Sequence, residues 1–233
     1  LAAMAGTAGL GVVIERFAYR PLRDAPRIAP LISALGVSFF LANSMQLLFG
    51  ATPRNYNTFD LSNGALYYRG IDIGNVKVPL LRIITIVSAL VLMVLLWLLV
   101  NKTRTGKAMR ATSFDREAAA MMGIDVDRVI VVTFFIGSAL AGAAGVFNGI
   151  AYQQVWPYMG FQAGLFAFIA AVVGGIGNLP GSVLGGLVIG LAQSFATGYI
   201  SSTFQSAIVF AVLIVVLIVR PSGLLGRAAV QKV

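Results

Sequence analysis

The sequence predicts an all-α, polytopic integral membrane protein: a helical bundle with about seven transmembrane segments and a cytoplasmic C-terminus. Two observations carry the prediction. Of the 233 residues 58% are hydrophobic and only 11% charged, with a mean hydropathy of +0.89, whereas an ordinary soluble domain is roughly a quarter charged. The charges are also segregated. Val129 to Val219 is a run of 91 residues without one Asp, Glu, Lys or Arg, and Ile28 to Pro53 is another of 26. A soluble core cannot hide runs of that length, but a bilayer takes about 20 apolar residues per helix.

Lipid offers the backbone no hydrogen-bond partner, so each apolar run is expected to be a helix. The first is Leu1 to Ile14. It opens inside an apolar segment with no Met and no signal-peptide charge, so the sequence is read as lacking its true N-terminus. The second is expected over Ile28–Gly50, the third over Ile83–Val100 and the fourth over Val129–Ala151. The last three are expected over Phe161–Gly177, Ser182–Ile200 and Phe204–Val219.

Loop charges set the orientation, because Lys and Arg accumulate on the cytoplasmic side. Arg16, Arg20, Arg23 and Arg27 follow the first span. Lys102, Arg104, Lys107, Arg110, Arg116 and Arg128 separate the third from the fourth, and Arg220, Arg227 and Lys232 end the chain. The opposite side holds only Arg54, Arg69, Lys77 and Arg82. The net charge of +9 and pI near 10.4 therefore report topology and argue against nucleic-acid binding.

Two connections are longer than turns. The outer one, Thr52–Pro79, mixes Asn55, Tyr56, Asn57, Tyr67 and Tyr68 with alternating apolar residues and suggests a small hairpin or cap. The inner one, Asn101–Arg128, carries a helix start at Thr112 and Asp115, Glu117 in the first turn and Gly123 as a stop. An amphipathic helix of about three turns is expected there. Phe114, Ala118, Met121 and Met122 form its stripe, with Arg116 and Ala119 pointing elsewhere.

Small residues recur at four-residue spacing at Ala141/Gly145/Gly149, Gly181/Gly185 and Gly186/Gly190, the pattern of close helix packing in lipid. The run Gly174-Gly175-Ile176-Gly177-Asn178-Leu179-Pro180-Gly181 cannot continue a helix. It lacks the Gly-Lys-Ser/Thr ending of a phosphate loop, which leaves a tight helical hairpin or a broken segment lining a path. Amides inside the spans, Asn43, Gln46, Asn148 and Gln193 among them, serve either as interhelical glue or as the lining of a polar path.

Chemistry has few candidates. The absence of Cys and His removes disulfides, thiolate nucleophiles, the usual zinc sites and His bases. No catalytic residue, metal site or cofactor is expected. No charged residue lies deep in a span, which counts against a self-sufficient secondary transporter or channel and against a membrane-embedded hydrolase.

Gly106-Lys107-Ala108-Met109-Arg110-Ala111-Thr112-Ser113-Phe114-Asp115-Arg116-Glu117-Ala118-Ala119-Ala120-Met121-Met122-Gly123-Ile124 resembles the cytoplasmic segment of permeases from the branched-chain amino acid class of ABC importers. Val13-Ile14-Glu15-Arg16-Phe17-Ala18-Tyr19-Arg20-Pro21-Leu22-Arg23 and the Gly-rich run Val173–Gly185 are similar to two further segments of those permeases, in the same order. The Tyr-Arg-Pro-Leu-Arg stretch points to the H-type subunit. The resemblance covers the whole chain and implies one permease domain, 1–233, without its N-terminal spans, moving leucine, isoleucine or valine across the inner membrane by alternating access. It implies a second homologous permease subunit, two cytosolic ATPases that hydrolyse the ATP, and a periplasmic amino-acid-binding protein. Within the loop 101–128, Arg110, Ala111, Asp115, Glu117, Ala118, Ala119 and Gly123 would form the ATPase-coupling helix. Permeases for urea or short amides share the same turn and segment and are the alternative.

Overall fold

The computed structural model describes residues 1–23, 25–26, 28–55, 70–73 and 76–226. Nine α-helices run in the order α1 Ala2–Ile14, α2 Ile28–Phe49, α3 Leu80–Lys102, α4 Arg104–Phe114, α5 Arg116–Met121, α6 Val126–Tyr152, α7 Met159–Gly174, α8 Leu179–Phe195 and α9 Gln205–Val219 among the described residues. Five helical segments are long and apolar enough to cross a membrane: α2, α3, α6, α8 with its continuation to Ile200, and Ser202–Val219, which contains α9. The expected first and fifth spans are shorter, 13 residues in α1 and 16 in α7.

The solvent that suits these helices can be read from their surfaces. No residue of α3 is buried, yet its most apolar window has a mean hydropathy of 3.0. A helix apolar all round with nothing over it belongs in hydrocarbon. Three threonines on the spans turn back onto their own helices. Thr85 donates to the Leu81 carbonyl at 2.9 Å, Thr133 to Val129 at 2.8 Å and Thr197 to Gln193 at 2.9 Å, so none exposes an unmet hydroxyl to lipid.

Helix ends depart from expectation where local caps win. Asp125 accepts from the Arg128 amide at 3.0 Å and starts α6 at Val126 instead of Val129. Asn178 accepts from the Gly181 amide at 3.2 Å and starts α8 at Leu179 instead of Ser182, with Pro180 in the first turn where its missing N–H costs nothing. α1 does not stop at Ile14, since a π-helical turn, Glu15–Tyr19, prolongs it.

The chain forms two compact units, Leu1–Tyr158 and Met159–Val233. In the first, α1 packs along α6. A Cβ on Gly11 would enter the Ser138 side chain, and one on Gly142 would collide with Thr7 and the Ala3 backbone. Tyr19 stacks on Phe134 at 4.9 Å between centroids, tilted 54°. Below it Arg23 pairs with both Glu15 and Asp127, and Arg20 reaches Asp127 at 3.0 Å. Around the other end of α2, Arg54 donates to the Phe49 carbonyl at 3.0 Å. There β1 (Arg54–Asn55) pairs antiparallel with β4 (Gln154–Val155). The strands β2 (Gly70–Ile73) and β3 (Val76–Pro79) pair antiparallel, Ile71 opposite Val78, which supplies the hairpin expected of the outer connection. Tyr56, Asn57, Tyr67 and Tyr68 lie outside the described residues.

The second unit is built on a small apolar core of Ile169, Ala170, Val173, Ile189 and Val209. α7 ends three residues before the expected Gly177, because Gly175 and Gly177 take φ of +105° and +88°, conformations that side chains resist. α7 and α8 then touch backbone to backbone. A Cβ on Gly174 would overlap the Gly181 carbonyl, and one on Gly185 the Ala170 carbonyl. Of the other expected small-residue pairs, Gly145, Gly186 and Gly190 have no described neighbour within 4 Å of a built Cβ, while Gly149 lies 3.1 Å from a Val155 methyl.

This crossing gives a graded prediction. Gly181→Val and Gly185→Val should each destabilise the second unit by about 1–3 kcal/mol or more through overpacking against backbone. Gly177→Ala, which meets open space and bears only left-handed strain, should cost about 1–2 kcal/mol. Thermal unfolding in detergent checks the order; Gly177→Ala as damaging as Gly181→Val would refute the backbone contact.

Candidate functional site

The inner connection is a train of short, individually capped rods. Thr103 Oγ1 donates to the Leu99 carbonyl at 2.6 Å, closing α3, and accepts from the Gly106 amide at 3.0 Å, opening α4. Gly106 lies so close over the last turn of α3 that a Cβ would strike the Leu99 and Val100 carbonyls. Arg110 donates to Asn101 Oδ1 at 2.9 Å across this corner.

At Asp115 the backbone is extended, φ −155° and ψ 115°, and the helix breaks. The Asp115 carboxylate accepts from the Glu117 and Ala118 amides at 3.0 and 3.1 Å and starts α5. Glu117 in the first turn adds a negative charge where the helix dipole favours one. Gly123, at φ +81°, stops α5; its amide donates to Ala120 and that of Ile124 to Ala119, which satisfies the last carbonyls. Asp125 then caps α6.

The expected single helix of about three turns is therefore two. Thr112 does not start it, because that residue is buried inside α4. Arg110 and Ala111 belong to α4, while Glu117, Ala118 and Ala119 belong to α5. The missed helix α4 had a sequence signal, a Thr103 cap followed by residues of good helix propensity.

Orientation follows from burial. Ala119 is buried, whereas Ala118 is exposed. Phe114, Met121 and Met122 stand 81%, 81% and 83% exposed. The apolar stripe read from the sequence thus exists as an outward rim around α5. Exposure on the spans has lipid to explain it; this rim lies in the connection between them.

The Gly-rich turn forms a second constellation, covered by a segment that no sequence motif points to. Beyond α9 the chain folds back: the Leu224 amide donates to the Val173 carbonyl at 2.8 Å and that of Leu225 to Gly174 at 3.0 Å. Asn178 Nδ2 donates to the Leu225 carbonyl at 2.7 Å. Gly175 approaches Gly223 and Gly226 too closely for a Cβ. The backbone here turns tightly from α7 into α8, with the tail hydrogen-bonded over the turn.

The intramembrane amides are not one cluster. Asn43 and Gln46 meet at the Tyr158 hydroxyl, each amide oxygen 2.9 Å from it. Asn43 Nδ2 donates to the Phe39 carbonyl at 2.7 Å, which fixes its oxygen toward Tyr158. A phenol carries a single proton, so Gln46 must present its NH2 there instead. Asn148 is half-buried on α6. Gln193 sits in the second unit, its Nε2 buried without a hydrogen-bond partner among the described residues. No group of three or more acidic residues able to hold a metal ion occurs among the described residues.

Against known proteins, the profile of the family described as "Branched-chain amino acid transport system / permease component" matches residues 1–217. The chain is 39% identical over 223 residues to the high-affinity branched-chain amino acid transport system permease protein LivH of Salmonella typhimurium, covering 96% of this chain and 72% of that one. It is 39% identical over 227 residues to the corresponding permease protein BraD of Pseudomonas aeruginosa, covering 97% and 73%. The galactose/methyl galactoside import permease protein MglC of Haemophilus influenzae is 26% identical over 150 residues, covering 64% of this chain and 44% of its own. No solved structure matches. With one family profile spanning nearly the whole chain and permeases of that description matching 96–97% of it at 39% identity, this chain belongs to the branched-chain amino acid transport permease family.

Proposed function

We propose that this chain is the permease subunit of an ATP-driven importer that moves branched-chain amino acids inward across the cell membrane by alternating access. The cargo follows the relatives at 39% identity. The site that carries the mechanism is α5, a short capped helix whose apolar rim faces away from its own chain. The permease supplies the path and performs no chemistry. ATP hydrolysis belongs to two cytosolic ATPases, a second homologous permease subunit completes the pathway, and a periplasmic protein delivers the amino acid.

In this reading residues 101–128 are cytoplasmic. Asp115, Glu117, Ala118, Ala119 and Gly123 hold the coupling helix, and Arg110 and Ala111 anchor its approach. Ala119 seats α5 on the permease, while Phe114, Ala118, Met121 and Met122 enter a groove of the ATPase. The hairpin at Gly174, Gly175, Gly177, Asn178, Pro180 and Gly181 shares the cytoplasmic side with the tail bonded to it. Asn43, Gln46, Asn148 and Gln193 are proposed path-lining groups, the first two with Tyr158.

Topology is checked by single cysteines in this cysteine-free sequence. Ser113→Cys and Ser222→Cys should react with an impermeant thiol reagent only from the cytoplasmic side, and Asn55→Cys only from outside. Labelling of Ser113→Cys in intact cells would reverse the orientation.

Coupling is checked by ATP-dependent leucine uptake in vesicles, with copurification of the ATPase. Ala118→Trp should cut uptake at least about tenfold, since filling a packed interface costs a few kcal/mol. Asp115→Asn should be nearly silent because Asn caps as well as Asp, whereas Asp115→Lys loses a cap worth about 1 kcal/mol and should impair uptake. Normal uptake in Ala118→Trp would remove α5 from the coupling path.

A further inference from the structure

Glu15 is a carboxylate with 1% of its surface exposed, at the end of α1. An ionised carboxylate so placed needs a cation with good geometry. Arg23 provides it, one guanidinium nitrogen on Glu15 and another on Asp127 in the first turn of α6. The rigid planar fork of arginine presents separate nitrogens to two carboxylates at once, where a lysine would offer a single ammonium on a flexible stem. Arg20 also holds Asp127, at 3.0 Å. Four charges from the end of α1, the connection after it and the start of α6 thus neutralise one another.

The clamp sits where motion of α5 would arrive. Asp127 follows the α5 stop at Gly123 by four residues, with the Asp125 cap between them. Arg116 of α5 and Arg23 line the same cavity of about 520 Å³, together with Tyr19, Pro30 and Ile130. Because Glu15 and Asp127 already neutralise Arg23, the cavity makes a poor anion site. The same neutralisation lets a second arginine, from α5, lie opposite. Above the clamp, α1 and α6 are locked by Gly11 against Ser138 and Gly142 against Thr7.

We propose that the Arg23 clamp ties the end of α1 to the first turn of α6, where motion of α5 arrives, beyond the glycine contacts that hold the two helices higher up, so that Glu15, Arg23 and Asp127 are positioning residues for transport. The proposal rests on the reading of α5 as the coupling helix. Displacement of α5 shifts the first turn of α6, Asp127 carries Arg20 and Arg23 with it, and Arg23 draws the buried Glu15 at the end of α1.

The test uses the complete importer in proteoliposomes and reads leucine uptake per ATP hydrolysed. Asp127→Asn removes only the exposed arm and leaves the buried Glu15–Arg23 pair intact, so folding and assembly should hold. Uptake per ATP should fall about three- to tenfold, and Asp127→Glu should restore most of it. Arg23→Gln combined with Asp127→Asn should lower the ratio no further than Arg23→Gln alone. An unchanged ratio in Asp127→Asn, including the case where uptake and hydrolysis fall together, overturns the clamp. Ala118→Trp measured alongside separates the two ideas. If it abolishes uptake while Asp127→Asn keeps the ratio, the coupling helix stands and the clamp fails; if Ala118→Trp transports normally, the reading beneath the clamp fails first.

Discussion

Hydrocarbon offers a backbone amide or carbonyl nothing to bond, and this single deficit shapes most of the molecule. It requires that the runs inside the membrane be helices and turns their Thr and Asn side chains back onto carbonyls three or four residues earlier. It also removes the hydrophobic drive between helices, so that α1 meets α6 and α7 meets α8 through glycines that admit a neighbour's atoms. Where the backbone must break, at Gly175–Asn178, the loose groups are collected by the Asn178 side chain and by the folded-back tail. The ion pairs among the described residues lie at the helix ends and in the connections.

That placement explains what the sequence could disclose. Spans are legible because their signal is compositional and needs no knowledge of neighbours, and all seven apolar runs are helical. Their ends were less legible, since a cap such as Asp125 or Asn178 extends a helix into residues that hydropathy alone excludes. In the inner loop Thr112 and Asp115 read together as one helix start, though they belong to different helices. Only the burial of Thr112 within α4 separates them, and burial is a tertiary fact. Which glycines serve as contacts was hidden for the same reason: Gly142 and Gly145 are equally small, but only Gly142 has Thr7 opposite it. The clamp joins Arg20 and Arg23 to a residue more than 100 positions away, a separation that no local periodicity reports.

The basic residues from which orientation is read also make specific ion pairs and hydrogen bonds. Arginines after the first span would be needed for the positive-inside bias wherever they fell in the loop. Arg20 and Arg23 instead occupy positions from which both reach α6, while Arg110 ties α4 to α3 through Asn101. Thus at least three of the basic residues that serve topology are fixed by specific oxygen partners. A solvated basic loop would bias orientation just as well, so the pairing asks for a second reason.

The energetics of α5 supply one. A helix of six residues is too short to persist on its own, because nucleation is costly and little propagation follows. Here it is held by the Asp115 cap at one end, by Gly123 at φ +81° at the other and by Ala119 buried between them. That investment of local structure keeps Met121, Met122 and Phe114 outward, although burying one such side chain is worth about 1.5–3 kcal/mol. Had stability of the isolated chain been the only constraint, a fold of this connection that buried the two methionines would be the better arrangement, since Arg116 and Glu117 are exposed already. The caps and the buried Ala119 hold both methionines exposed instead. The rim then becomes favourable when another surface covers it, and in the proposed coupling the capped corners at Thr103, Asp115 and Asp125 would carry force from that rim to α3 and α6.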